Sequence, residues 1–276
     1  MIWRCRDRNI DLNRPVVMGI LNVTPDSFSD GGRYARLEHA LERAERMVAE
    51  GAAIIDIGGE STRPGSVPVV EALEMERVIP VIAAIAARLD IAISIDTSKP
   101  AVMAAALESG ACIVNDIRAL QAPGARDCAA QHRAGVCLMH MQGTPSTMQV
   151  SPFYENVTQE VASFLEAQIA ACAAAGIPAD RIVVDPGIGF GKTLEHSLGL
   201  LRDLARLERL QCPVMVGVSR KSVIGHILDK GIHERLYGGL GLAALAVSRG
   251  ARIIRTHDVG PTFDALACVA AALQGP

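Results

Sequence analysis

Polar and apolar positions along this chain fall into two alternating kinds of block. Short, nearly unbroken apolar runs occupy residues 16–21, 53–57, 91–95, 112–114, 136–139, 181–184, 213–218 and 252–254. They lean on Val and Ile, show no polar face of period two and are bounded by turn formers, which predicts strands buried on both sides. Longer amphipathic stretches lie between them. In 36–50, Leu37, Leu41, Ala44, Met47 and Val48 recur at helical spacing, and Gly51 stands where a helix would stop. The same reasoning predicts helices at 71–89, 100–110 (with Pro100 in the first turn), 126–133, 157–175, from 194 to 207, 237–249 and 261–273. Pro80, inside 71–89, predicts a kink or a late start. Residues 1–14, polar and rich in Arg, predict a short hairpin or cap over one end of the domain.

Eight such strands alternating with helices predict one α/β domain over 1–276, a (β/α)8 TIM barrel with all strands parallel. A doubly wound open sheet is the competing arrangement. In a barrel the C-terminal strand ends open onto a single face, and that face carries the chemistry. Here it would receive Asn22, Asp56, Asp96, Asn115, His140, Asp185, Ser219 with Lys221, and Arg255 with His257. One polar residue after a strand is often only a helix cap or turn former. Eight strands ending this way is harder to obtain by chance. Asp96, Asn115 and Asp185 form an acceptor group suited to a flat heterocycle with several N–H donors. Arg63, Lys221, Arg255 and His257 form a cationic group suited to a phosphorylated leaving group. Acceptors are expected deep in the cup, with the cations at its lip.

Composition narrows the class. Half of the 276 residues are hydrophobic but only 3% are aromatic, so Ala, Val, Ile and Leu must build the core. A formal net charge of -3 argues against a nucleic-acid partner, which would need a basic face. The seven Cys are scattered singly, which fits reduced thiols in the cytoplasm better than disulfides or a zinc site. The first residues are too charged for a signal peptide, and no apolar run reaches the roughly 18 residues of a membrane helix, so no membrane partner is expected. Two phosphate-loop patterns fail in 186–193, PGIGFGKT: the Walker A motif would need Gly at Pro186, and the dinucleotide motif would need Gly at Lys192. The glycines at 187, 189 and 191 are expected to let backbone pass close to a bound ring, with Phe190 over it.

Read together, MGILNVTPDSFSDGG at 18–32, IDIGGESTRPGS at 55–66, SIDTSKP at 94–100, NDIRAL at 115–120, MHMQGTP at 139–145, VVDPGIGFGKT at 183–193, GVSRKSVIG at 217–225 and RTHDV at 255–259 resemble the dihydropteroate synthase family over nearly the whole length. The resemblance implies a TIM barrel, usually a homodimer. It implies an enzyme of folate biosynthesis, and a sulfonamide target, that joins p-aminobenzoate to 6-hydroxymethyl-7,8-dihydropterin diphosphate and releases diphosphate through a carbocation-like transition state. It implies that Asp96, Asn115, Asp185 and Lys221 hold the pterin, with Arg255 stacked on it and Met139, Phe190 and Gly217 around it. Asn22 would meet a Mg2+ ion carried on the diphosphate, above a floor ordered by Asp56. Thr62, Arg63, Arg255 and His257 would bind the diphosphate. Phe28 and Asp30, with Thr62, Arg63, Pro64 and Ser219, would close over p-aminobenzoate. Thr256 departs from the apolar residue expected between the Arg and the His, and is expected to affect packing alone. A pterin-dependent methyltransferase would not need Arg63, residues 219–221 or the loop at 22–32. A pterin-binding paralogue without activity would be expected to have lost one of them.

Overall fold

The computed structural model describes residues 1–24, 33–62 and 65–274. Eight parallel strands close into a barrel: β3 (Val16–Asn22), β4 (Ala52–Gly58), β5 (Ala92–Asp96), β6 (Ile113–Asp116), β7 (Gly135–Met139), β8 (Ile182–Asp185), β9 (Val214–Gly217) and β10 (Ala251–Thr256), with β10 returning to β3. The open-sheet alternative is thereby excluded. Ahead of the barrel, β1 (Ile2–Cys5) and β2 (Arg8–Asp11) pair as an antiparallel hairpin.

The continuous apolar strands bury two different surfaces. Val17, Ile55, Ile93, Val114, Val136, Val184, Val216 and Ile254 point outward into the layer under the helices. Met18, Ile54, Ala92, Ile113, Cys137, Val183, Met215 and Ile253 point inward, and Trp3, Cys5, Ile10 and Leu12 of the hairpin pack onto them. The hairpin therefore plugs the N-terminal end of the barrel. Trp3 Nε1 donates to Arg181 O at 2.9 Å and Arg6 N to Arg133 O at 2.9 Å, both just ahead of barrel strands. Gly135 makes room for the plug, since a Cβ there would lie 2.4 Å from Cys5 Sγ.

Most helices fall where the periodicity puts them: α1 (Arg33–Ala49), α2 (Glu71–Arg88), α3 (Pro100–Glu108), α4 (Ala125–Gln131), α5 (Val157–Ala174), α6 (Leu194–Arg202), α7 (Ser222–Leu228), α8 (Leu236–Ser248) and α9 (Val259–Gln274). Three details differ from expectation. Helix α2 starts upstream of Pro80 and contains it, because Glu71 and Glu74 suit the first turn and Val78, Val81, Ile82 and Ile85 bury one face. Helix α6 stops at Arg202, and a 3-10 helix, Leu204–Leu210, takes over; its buried Leu204, Leu207 and Leu210 recur every third residue, the period of that tighter winding. Helix α7 is too short to show a periodic signal.

Candidate active site

Because side chains alternate across a strand, the residue two places beyond each inner apolar side chain also faces the barrel axis. Stepping up from Ile54, Ile113, Cys137, Val183, Met215 and Ile253 gives Asp56, Asn115, Met139, Asp185, Gly217 and Arg255. Four places beyond Ala92 and Met18 come Asp96 and Asn22. All eight therefore lie at the C-terminal mouth. Asp116 and Thr256, one residue out of phase, face away from it. Asp116 accepts from Arg118 N and Leu120 N and so shapes the turn after β6.

Arg255 organises the floor. Its Nε donates to Asp56 Oδ2 at 2.6 Å and its NH2 to Asp96 Oδ2 at 2.6 Å. Asn115 Nδ2 donates to the same Asp56 Oδ2 at 2.9 Å. Acids and cations are thus interleaved, correcting the expected separation of deep acceptors from cations at the lip: a guanidinium at this depth is tolerable only beside carboxylates. Asp56, in register with Ile20 and so one level below Asn22 on the neighbouring strand, orients Asn115 and Arg255. Its Oδ1 is buried with no hydrogen-bond partner.

Electrostatics follow from depth. Burial pushes the Asp96 carboxyl up to about 7, with Arg255 opposing and Asp56, Glu74 and Asp116 adding to the rise. Burial also raises Asp185, against the pull of Lys221 and a bond from Gly187 N to Oδ1 of 2.7 Å. Lys221 is lowered to about 8 by burial, with Asp185 opposing. For Arg255 burial acts downward, but Asp56 and Asp96 outweigh it and hold the guanidinium above its ordinary value.

Around this floor, Lys221 Nζ donates to Ile188 O at 2.5 Å and lies 4.7 Å from the centroid of the Phe190 ring. Gly217 lies between the two cations: a Cβ there would stand 3.8 Å from both Lys221 Nζ and Arg255 Cβ, ordinary contact distance. Ser219 Oγ and His257 Nδ1 are 3.0 Å apart, and Arg43 NH2 holds His257 O at 2.7 Å. Asn22 is half-buried across from Gly58, whose absent Cβ would be 3.7 Å from both Asn22 Oδ1 and Asp96 Oδ2. Thr62 is half-buried in the segment after β4, and Met139 is buried. Phe28, Asp30, Arg63 and Pro64 lie outside the described residues.

Three expectations change here. His140 does not join the cup. Its ring packs edge-on against Phe164 of α5 at 4.9 Å and contacts Lys192, and burial lowers it to about 3. The glycines at 187 and 191 have φ of 69° and 59°, and they make room for protein backbone rather than for a ring: a Cβ would fall 1.9 Å from His140 O and 2.4 Å from Gln142 O. Thr256 does more than pack. Its Oγ1 accepts from Asp258 N at 3.1 Å and from Thr262 Oγ1 at 3.1 Å, tying β10 to the start of α9. Sequence reading missed Lys192, which it weighed only as a failed phosphate-loop residue, and Gln149 and Tyr154, which had no signal.

A parallel barrel whose mouth gathers acceptors around an arginine and a lysine belongs to a class of enzymes that hold a flat, nitrogen-rich ring. Residues 18–257 match the family described as pterin binding enzyme. The chain is similar to dihydropteroate synthase of Escherichia coli K12, 51% identical over 96% of this chain and 94% of the relative. Its structure is similar to the Yersinia pestis dihydropteroate synthase with a sulfonamide drug, with TM-score 0.95, 48% identity and 100% of both chains covered. It is also similar to the Xanthomonas albilineans enzyme in complex with 7,8-dihydropteroate, with TM-score 0.91, 42% identity and 100% of both chains covered. The chain belongs to the dihydropteroate synthase family of pterin-binding enzymes.

Proposed function

We propose that the mouth of this barrel, within a single pterin-binding domain of residues 1–276, condenses 6-hydroxymethyl-7,8-dihydropterin diphosphate with p-aminobenzoate to give 7,8-dihydropteroate and diphosphate. The observation that carries the site assignment is Arg255, held between Asp56 and Asp96 on the same inner wall as Asn115, Asp185 and Lys221. Asp96, Asn115 and Asp185 accept the N–H donors of the pterin edge, and Lys221 donates to its acceptors. Arg255 offers its flat face to the ring, with Met139, Phe190 and Gly217 around it. Asn22 fits a Mg2+ ion borne by the diphosphate: an amide oxygen is a hard donor, and this ion keeps most of its water and phosphate ligands. When bound, the ion supplies positive charge to the leaving group.

The bond that breaks joins the pterin methylene carbon to the diphosphate oxygen, and its electron pair leaves with diphosphate. The amine lone pair of p-aminobenzoate then closes on that carbon, and the amine proton passes to solvent. An aromatic amine is already neutral at pH 7, so no activated Ser, Cys or His is required. Thr62, Arg63, Arg255 and His257 receive the developing charge on the diphosphate, while Asp96 and Asp185 steady the cationic ring. Phe28, Asp30, Pro64 and Ser219 complete the p-aminobenzoate end.

The exposed Tyr237, Leu245 and Phe263 on the adjacent helices α8 and α9 support a homodimer through that face. Seven free cysteines support the cytoplasm as its compartment. Among the described residues no helix is long and apolar enough to cross a membrane. The decisive experiment is diphosphate release with both substrates. Release that depends on p-aminobenzoate and is competed by a sulfonamide supports the assignment; pterin binding with no turnover overturns it.

A further inference from the structure

We propose that Lys192 is a positioning residue for the pterin end of the site: from behind the glycine loop, its ammonium sets Phe190 and Asp185 in the arrangement that accepts the ring. This rests on the reading that Asp185 holds the pterin. Lys192 is only 3% exposed, yet none of its hydrogen-bond partners is a carboxylate. Nζ lies 3.0 Å from His140 Nδ1 and donates to His140 O at 3.3 Å and Phe190 O at 2.9 Å. It also lies 5.9 Å from the centroid of the Tyr154 ring. Burying an ammonium without a counter-ion is costly, and burial lowers this one to about 7, with Asp185 opposing. An apolar residue would fill the same space at less cost unless the cation were needed.

What it holds is specific. Four successive carbonyls of the loop are capped by side chains. Ile188 O accepts from Lys221 at 2.5 Å, Gly189 O from Gln149 Nε2 at 2.7 Å, Phe190 O from Lys192 at 2.9 Å, and Gly191 O from Tyr154 Oη at 2.8 Å. Lys221 works from inside the cup and Lys192 from outside, so the peptide that carries Phe190 is pinned from both faces. Lys192 also reaches Asp185 through its neighbours. His140, whose carbonyl it holds, donates its own N–H to Asp185 O at 3.0 Å, and Gly187, which donates to Asp185 Oδ1, would bring a Cβ to 3.4 Å from Nζ. Lys192 is buried behind the loop, and it bears on two groups that the proposed function assigns to the pterin.

The test uses the full chain with Lys192→Met, Tyr154→Phe and Asp185→Asn, and reads pterin diphosphate affinity by calorimetry and KM for each substrate by diphosphate release. Lys192→Met is expected to weaken pterin diphosphate about tenfold or more, because bonds from a charged donor are lost, and to leave KM for p-aminobenzoate unchanged. Tyr154→Phe is expected to weaken it about threefold, since a neutral bond is lost. A folded Lys192→Met with unchanged pterin affinity, or with both KM values raised alike, overturns the proposal while a weakened Asp185→Asn leaves the site assignment standing. If Lys192→Met does not fold, unchanged pterin affinity in Tyr154→Phe overturns it. If Asp185→Asn also binds normally, the site assignment falls together with the proposal.

Discussion

The two ends of the barrel are built on the same strands and differ by two residues in height. At the lower level, Ile54, Ile113, Cys137, Val183, Met215 and Ile253 interdigitate with Trp3, Cys5, Ile10 and Leu12 of the hairpin, a dry plug without a charge in it. At the upper level the same strands present Asp56, Asn115, Met139, Asp185, Gly217 and Arg255. The lower level gains free energy from packing whatever the pH. The upper level spends some of it, holding two carboxylates and a guanidinium where water is scarce and leaving Asp56 Oδ1 without a partner. Proximity on one strand does not make neighbouring layers alike: what each contributes follows from what lies across the axis. The lower layer should therefore fail by unfolding, and the upper by losing chemistry.

The largest test is Arg255→Ala. It removes the guanidinium bonded to both Asp56 and Asp96, so activity should fall at least about a hundredfold, and unfolding stability should drop by about 3–5 kcal/mol as buried charge is left uncompensated. Denaturant melts and diphosphate release read the two losses on one preparation. Trp3→Ala should match that stability loss, about 3–5 kcal/mol by cavity formation, while kcat and both KM values of the folded fraction stay at wild type. A large kcat defect would mean the two levels are mechanically coupled.

Next in size is the pH profile. Asp96 must be ionised to accept N–H bonds and is raised to about 7, so kcat/KM for pterin diphosphate should fall as pH drops through that value. Lys221, lowered to about 8, should impose a second fall as pH rises through it, and Lys221→Arg should move that basic limb to higher pH. A flat profile between pH 5 and 9 would show that neither group titrates in the free enzyme. The smallest effect belongs to Thr256→Val, which lies on the outer side of the wall: about 0.5–1.5 kcal/mol of stability from lost bonds to Asp258 N and Thr262, with unchanged kinetics.

Much of this was legible in the chain. Apolar runs each ending in a polar residue give the strand count, and the inner-face alternation follows once closure is assumed, so Asn115, Asp185 and Arg255 could be assigned to one cup. Interactions that depend on long, flexible side chains were not legible. Nothing local predicts that Lys192 will turn back behind its own loop, that Arg255 will sit between Asp56 and Asp96, or that Gly187 is required by the carbonyl of His140 rather than by a ligand. Those outcomes are set by strands distant in sequence. Helix α7 was missed for a different reason, since seven residues are too few to reveal a period.

The hairpin has one more consequence. With Trp3 and its neighbours corking the bottom, the barrel is a blind alley, and all traffic uses one doorway. Guests therefore come and go on the C-terminal side alone, and the cork lies a full layer of packed side chains away from them, free to serve the barrel's stability without entering its chemistry.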